Sequence, residues 1–159
     1  MSWWILPTTA DIGLRAYATS ADRLIEESTL GMQSILLSEA GADSLPNLKV
    51  EEGVWQAVVD EGTSSDLMLV HWLEEVLYHA EVENRWLVAL SAMLTDTGIQ
   101  AQVSFVDAES VEREVEIKAV TRHELIFQEV PAGVEVPGAP PDIPSFEGPG
   151  WMAQVIFDI

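Results

Sequence analysis

Four residues carry the chemistry this sequence offers. Asp11 stands in "LPTTADIGLRAY", Asp158 and Ile159 close the chain in "VIFDI", and Lys118 lies in "EIKAVTRHEL". Asp11 is the single acid of its run, placed where an apolar start gives way to an alternating segment. An Asp there shapes a turn, because its side chain bonds nearby backbone. It becomes a ligand only if a second oxygen donor meets it. The other end of the chain supplies candidates: Asp158 is penultimate, and Ile159 ends on a main-chain carboxylate. Carboxylate oxygens are what hard cations such as Ca²⁺ and Mg²⁺ take. The apolar approach "WMAQVIF" should pack into a sheet and hold that end rather than let it fray. The plainer reading, a strand that simply runs out, stays open beside it. Lys118 is one of two lysines. It pairs with Glu114 or Glu116 on a solvated strand, or it presents a cation beside a carboxylate site.

Other chemistries are missing their residues. The chain has no cysteine, which removes thiolate catalysis, Cys-ligated zinc and disulfides together. His71, His79 and His123 show no ligand spacing, and no H-E-x-x-H, phosphate loop, G-x-G-x-x-G or G-x-S-x-G occurs. No nucleophile–base constellation is visible, which argues against an enzyme. Twenty-seven acids face seven Lys and Arg, a formal net charge of −20. Direct gripping of nucleic acid is not expected on that balance, because phosphates are neutralised by Lys and Arg. A basic protein partner or bound cations fit it, as does solubility or a salty cytoplasm.

The elements that must position these residues follow from the patterning. The length of 159 residues suits one domain, 1–159, and 48% hydrophobic residues allow a core without metals or disulfides. "LRAYA" alternates as a half-buried strand. "TSAD" predicts a capping box from Thr19 to Asp22 and a helix over 21–37. "NLKVEEGVWQAVVDEG" offers one or two short strands, and "TSSD" caps a second helix over 66–81, with Leu69, Trp72, Leu73, Val76, Leu77 and Ala80 at helical spacing. "RWLVALSAML", "IQAQVSF", "REVEIKAV" and "ELIFQEV" read as successive strands. Residues 131–150 hold six of the eight prolines and read as a surface loop. The six tryptophans read as core, with Trp3 and Trp4 open to an interaction role. The expectation is an α+β fold: a two-layer single domain, a largely antiparallel β-sheet with two main α-helices on one face. No apolar run is long enough to span a membrane, and the start lacks the features of a signal peptide. The chain reads as soluble and cytoplasmic.

Four segments in order resemble the archease family. "LPTTADIGLRAYATSADRLIEESTLGM" is similar to its HTADIG-like opening with the strand and Glu-rich helix that follow. "DLMLVHWLEEVLYHAE" resembles its second helix, "EIKAVTRHEL" its K-A-x-T-x-H segment, and "VIFDI" its characteristic end. The resemblance implies a non-catalytic accessory protein of RtcB-type RNA ligases in tRNA splicing and RNA repair, promoting ligase guanylylation and repeated turnover. It implies a divalent cation, Ca²⁺ or Mg²⁺, on Asp11, Asp158 and the Ile159 carboxylate, with Lys118 as a residue that activates the partner. An alternative attached to the same family is a chaperone-like modulator of an RNA-modification enzyme such as a tRNA methyltransferase. Two positions depart from the family pattern: Thr8 replaces its histidine, and Arg122 its aromatic residue.

Overall fold

A computed structural model describes residues 2–6, 8 and 11–159. The described chain is α+β, with antiparallel sheets throughout. The first sheet joins β1 (Trp3–Leu6), β2 (Ile12–Ala18) and β10 (Gly150–Asp158), and β10 then pairs on its far side with both β6 (Ala119–Val120) and β7 (Ile126–Val130). The second runs in the order β3 (Glu51–Val58), β5 (Gly98–Asp107), β4 (Arg85–Thr95). A small hairpin, β8 (Glu135–Val136) with β9 (Phe146–Glu147), completes the strands. The helices are α1 (Ala21–Leu36), a short α2 (Glu39–Ser44) and α3 (Ser65–Glu81).

Period-two alternation decides which face each strand buries. In β5, Ile99, Ala101, Val103 and Phe105 are buried while Gln100 and Gln102 face water. In β2 and β10, Leu14, Ala16, Ala153, Val155 and Phe157 point into the main core, where they meet Leu24, Ile25 and Met32 of α1 and Leu69, Trp72, Leu73 and Val76 of α3. The two long helices are tied inside that core. The Trp72 indole N–H donates to Thr29 Oγ1 at 2.9 Å, and that hydroxyl donates to the Ile25 carbonyl at 2.6 Å. Trp55, Trp72 and Trp86 are buried, while Trp3 and Trp151 pack against the core from its edge.

Several local expectations change. The N-cap of α1 is Ser20, not Thr19; its hydroxyl accepts the Arg23 N–H at 3.2 Å. Asp22 is drawn off the helix end to the backbone of Leu94. Ser64 stands at the start of α3 without a side-chain cap; its hydroxyl donates to Asp66, which accepts the Leu67 N–H at 2.8 Å. "REVEIKAV" is a strand only at Ala119–Val120. Residues 114 and 115 instead send their N–H groups to the Leu36 carbonyl at 3.0 and 3.4 Å, so the end of α1 takes the bonds a neighbouring strand would have taken. Alternation there reflects one buried side of an extended segment, with Ile117 inward. β1 and α2 had no counterpart in the sequence pattern.

The Pro-rich segment is more than a loop. It folds into β8 and β9 and lays Ile143 and Phe146 over the second face of the first sheet. There they meet Tyr17, Met152 and Val130, with the Phe146 ring stacked on Tyr17 at 4.7 Å. The Tyr17 hydroxyl donates to the Pro144 carbonyl at 3.0 Å.

Candidate functional site

The pairing of β2 with β10 brings the two distant carboxylates to one end of the sheet. The ladder runs from Trp151 opposite Ala18 to Phe157 opposite Ile12. One step further along the same register stand Asp11 and Asp158, both exposed. Ile12 and Phe157 anchor this end, since both contribute to the main core and Phe157 is fully buried. On the far side of β10, Asp158 pairs with Ala119, and the Lys118 N–H donates to the Asp158 carbonyl at 2.7 Å. Lys118 is exposed. Among the described residues the carboxylate contacts of basic groups are Arg23 with Glu26 and Glu27, His79 with Glu75 and Glu83, and Arg113 with Glu81. The alternative pairing of Lys118 with Glu114 or Glu116 does not form there.

Thr8, exposed, turns its hydroxyl inward to the backbone carbonyl of Asp11. The Asp11 side chain is left free of hydrogen bonds from the described residues, so its carboxylate is available. Thr9 and Ala10, the middle of the family-like "TTADIG" element, lie outside the described residues.

The donor chemistry suits a hard divalent cation. Asp11 and Asp158 offer carboxylates at neighbouring strand ends, and Ile159 follows directly. Ca²⁺ takes six to eight oxygens, and Mg²⁺ is commonly held by one or two carboxylates with the rest left to water or phosphate. Such a site is open and needs a partner or ligand to complete it. Among the described residues no group of three His, Asp or Glu side chains is gathered closely enough to hold a metal. The two side chains here make a different and sparser set.

His79 is a structural residue. It is buried, stacked on Trp55 with ring centroids 3.8 Å apart, with Glu75 at 3.3 Å from Nε2. Glu83 lies 2.6 Å from Nδ1 but outside hydrogen-bonding geometry.

In the sequence Arg122 stands out as a departure from the family pattern, and His123 as the histidine of the K-A-x-T-x-H-like segment, without metal-ligand spacing. Both are exposed on a turn held against β10 at the same end as Lys118. The signal was available: three of the chain's ten Lys, Arg and His residues fall within the six positions 118–123.

An α+β fold whose first long strand and last strand pair to carry acids at one end defines the structural class. Residues 3–159 match the Archease protein family (MTH1598/TM1083), and the chain belongs to that family. The protein archease of Pyrococcus abyssi is 24% identical over 99% of this chain and 98% of its own length. That of Methanosarcina mazei is 27% identical over 97% and 93%. The solution structure of Methanobacterium thermoautotrophicum protein 1598 is similar in fold, with a TM-score of 0.58 at 20% identity over 99% of both chains. No helix among the described residues is long and apolar enough to cross a membrane.

Proposed function

We propose that this chain is a non-catalytic activator of an RtcB-type RNA ligase, promoting guanylylation of the ligase and its multiple turnover in tRNA splicing and RNA repair. The observation that carries the reading is the β2–β10 register, with Asp11 and Asp158 one step beyond its last pair. Asp11, Asp158 and the Ile159 carboxylate would hold Ca²⁺ or Mg²⁺, which supplies positive charge for orienting phosphate oxygens. The chain's own residues then position rather than react. Main-chain bonds through β2 and β6 fix the direction of Asp158, and the Lys118 backbone clamp keeps its ammonium on the same edge. The charge of −20 favours docking on a protein with basic RNA-binding grooves, speeding encounter more than tightening the final complex.

The test is a multiple-turnover ligation assay with limiting ligase. Asp11→Ala and Asp158→Ala should each abolish stimulation while leaving the thermal midpoint unchanged. Full stimulation by both variants would refute the carboxylate reading. Co-purification with a tRNA methyltransferase and no ligase would transfer the role to the chaperone-like alternative.

A further inference from the structure

We propose that the turn over residues 121–125 is an anion subsite, presenting Arg122 and His123 to a short polyphosphate that arrives with its divalent cation. The inference deepens the carboxylate reading above and rests on it for the cation.

The first support is how the chain spends its few positive charges. Of seven Lys and Arg, Arg23 and Arg113 are held by carboxylates. Arg15 is engaged by Gln154 and the Pro137 carbonyl, and Arg85 lies over the Phe105 ring. Lys49, Lys118 and Arg122 have no such partner among the described residues. Two of these three sit four positions apart on the edge that carries Asp158. With 27 acids available, neutralising them locally would have been easy. His123 adds a third exposed donor beside Arg122.

The second support is rigidity. Thr121 donates its N–H and its hydroxyl to the Ile156 carbonyl at 3.0 and 2.8 Å. The His123 N–H returns to Thr121 Oγ1 at 3.3 Å, and the Leu125 N–H to the Arg122 carbonyl at 3.4 Å. Glu124, at φ 52°, takes the left-handed conformation that closes the turn. Its carbonyl accepts Gln154 Nε2 at 3.0 Å. Gln154 is only 6% exposed, and its Oε1 accepts Arg15 Nη2 at 2.8 Å. A part-buried relay from Arg15 through Gln154 therefore pins the turn. A pinned turn loses little freedom on binding, so its charged tips are preorganised.

The third support is the match of neighbouring charges. A fork-shaped guanidinium suits phosphate oxygens. Mg²⁺ is commonly held by one or two carboxylates together with substrate phosphates. The cationic turn is bonded to Ile156, two residues before Asp158 on β10, and such a strand end with its carboxylates is the protein half of this arrangement. A long nucleic-acid backbone is repelled by a chain of this charge, whereas a short, metal-screened anion is not. Glu124, exposed on the same turn, strengthens the need for the metal.

The experiment titrates inorganic tripolyphosphate, with and without Mg²⁺, into the full chain, reading the Arg122 and His123 resonances by NMR and affinity by calorimetry. Arg122 and His123 are exposed, so Arg122→Gln and His123→Gln should keep the wild-type midpoint. With Mg²⁺, both resonances should shift, and Arg122→Gln should weaken binding about tenfold. If Asp11→Ala and Asp158→Ala remove the Mg²⁺ dependence but not the loss in Arg122→Gln, the turn is confirmed as a subsite in its own right. If ligase stimulation depends on the acids but Arg122→Gln/His123→Gln binds tripolyphosphate as the wild type does, the inference falls and the carboxylate reading stands. Tighter, Mg²⁺-independent binding of a short RNA ending in a 3′-phosphate would also overturn it.

Discussion

The Glu26 carboxylate on α1 accepts the backbone N–H of Ala92 on β4 at 3.0 Å. One helical turn earlier, Asp22 accepts the Leu94 N–H at 2.9 Å. The spacings fit: four helical residues advance about 6 Å, and two strand residues about 7 Å. β4 is an outer strand of its sheet, so α1 supplies the acceptors that a further strand would have given. Losing either carboxylate should cost roughly 1–2 kcal/mol in urea unfolding, because a charge-assisted bond to a part-buried donor is lost. The double variant Asp22→Ala/Glu26→Ala should also elute earlier on size exclusion, through pairing at the bared edge. An unchanged urea midpoint in the double variant would show that this edge needs no such cover.

The bond from Trp72 to Thr29 joins α3 to α1 where no water reaches, since both residues are fully buried. Thr29→Val leaves the indole N–H without an acceptor and should destabilise by about 1–3 kcal/mol. A cycle with Trp72→Phe isolates the pair; a coupling of about 1 kcal/mol is expected. Strict additivity would mean that packing alone joins the helices.

Gly98 begins β5 at φ 135°, and a Cβ there would collide with the Ala57 carbonyl across the ladder. Gly98→Ala should therefore lower stability by at least about 2 kcal/mol, combining backbone strain with overpacking. Denaturation monitored by circular dichroism reads it. Stability equal to the wild type would place the strand entry elsewhere.

Ile143 and Phe146 cover Tyr17 and Met152 on the second face of the first sheet. Ile143→Ala should cost about 2–4 kcal/mol, as truncations of buried aliphatic residues do. It should also raise hydrogen exchange along β7 and β10. A loss confined to the 131–150 segment, with β10 protected as before, would reduce that segment to a decoration.

Divalent cation should stabilise the fold through the carboxylate edge. By mass action, saturation a hundredfold above Kd adds about 2.7 kcal/mol. Millimolar Ca²⁺ or Mg²⁺ should therefore raise the thermal midpoint of the wild type, and not that of Asp11→Ala/Asp158→Ala. Equal shifts in both would locate the effect in general screening of the acidic surface.

Long periodic segments were legible from sequence because a whole face votes for them. The stripes of α1 and α3 and the alternation of β4 and β5 are of this kind. "REVEIKAV" misled because alternation reports one buried side, and the α1 terminus can satisfy an extended backbone as well as a strand can. Capping at Ser20 went to the neighbour of the expected Thr19 because Asp22 was claimed by Leu94, a contact 72 positions away. β1 is four residues long, too short for any period to register. At the site, Asp11 and Asp158 could be named but not joined, since only strand register brings them together. Arg122 and His123 were visible in "EIKAVTRHEL", but the turn that Thr121 and Gln154 hold was not, since its bonds reach β10 thirty or more positions away.

The strand that completes the first sheet follows every other strand of that sheet in the chain. During synthesis β1 and β2 leave the ribosome early, then wait while both long helices and the entire second sheet follow. Only when β10 emerges can it slide between β2 on one side and β6 and β7 on the other. Nearly all the sequence must already be present before the sheet can close. The acidic edge thus exists only once β2 and β10 have paired, and the carboxylate pair reports that the first sheet has closed. A polypeptide lacking β10 would bear Asp11 without its companion on the neighbouring strand.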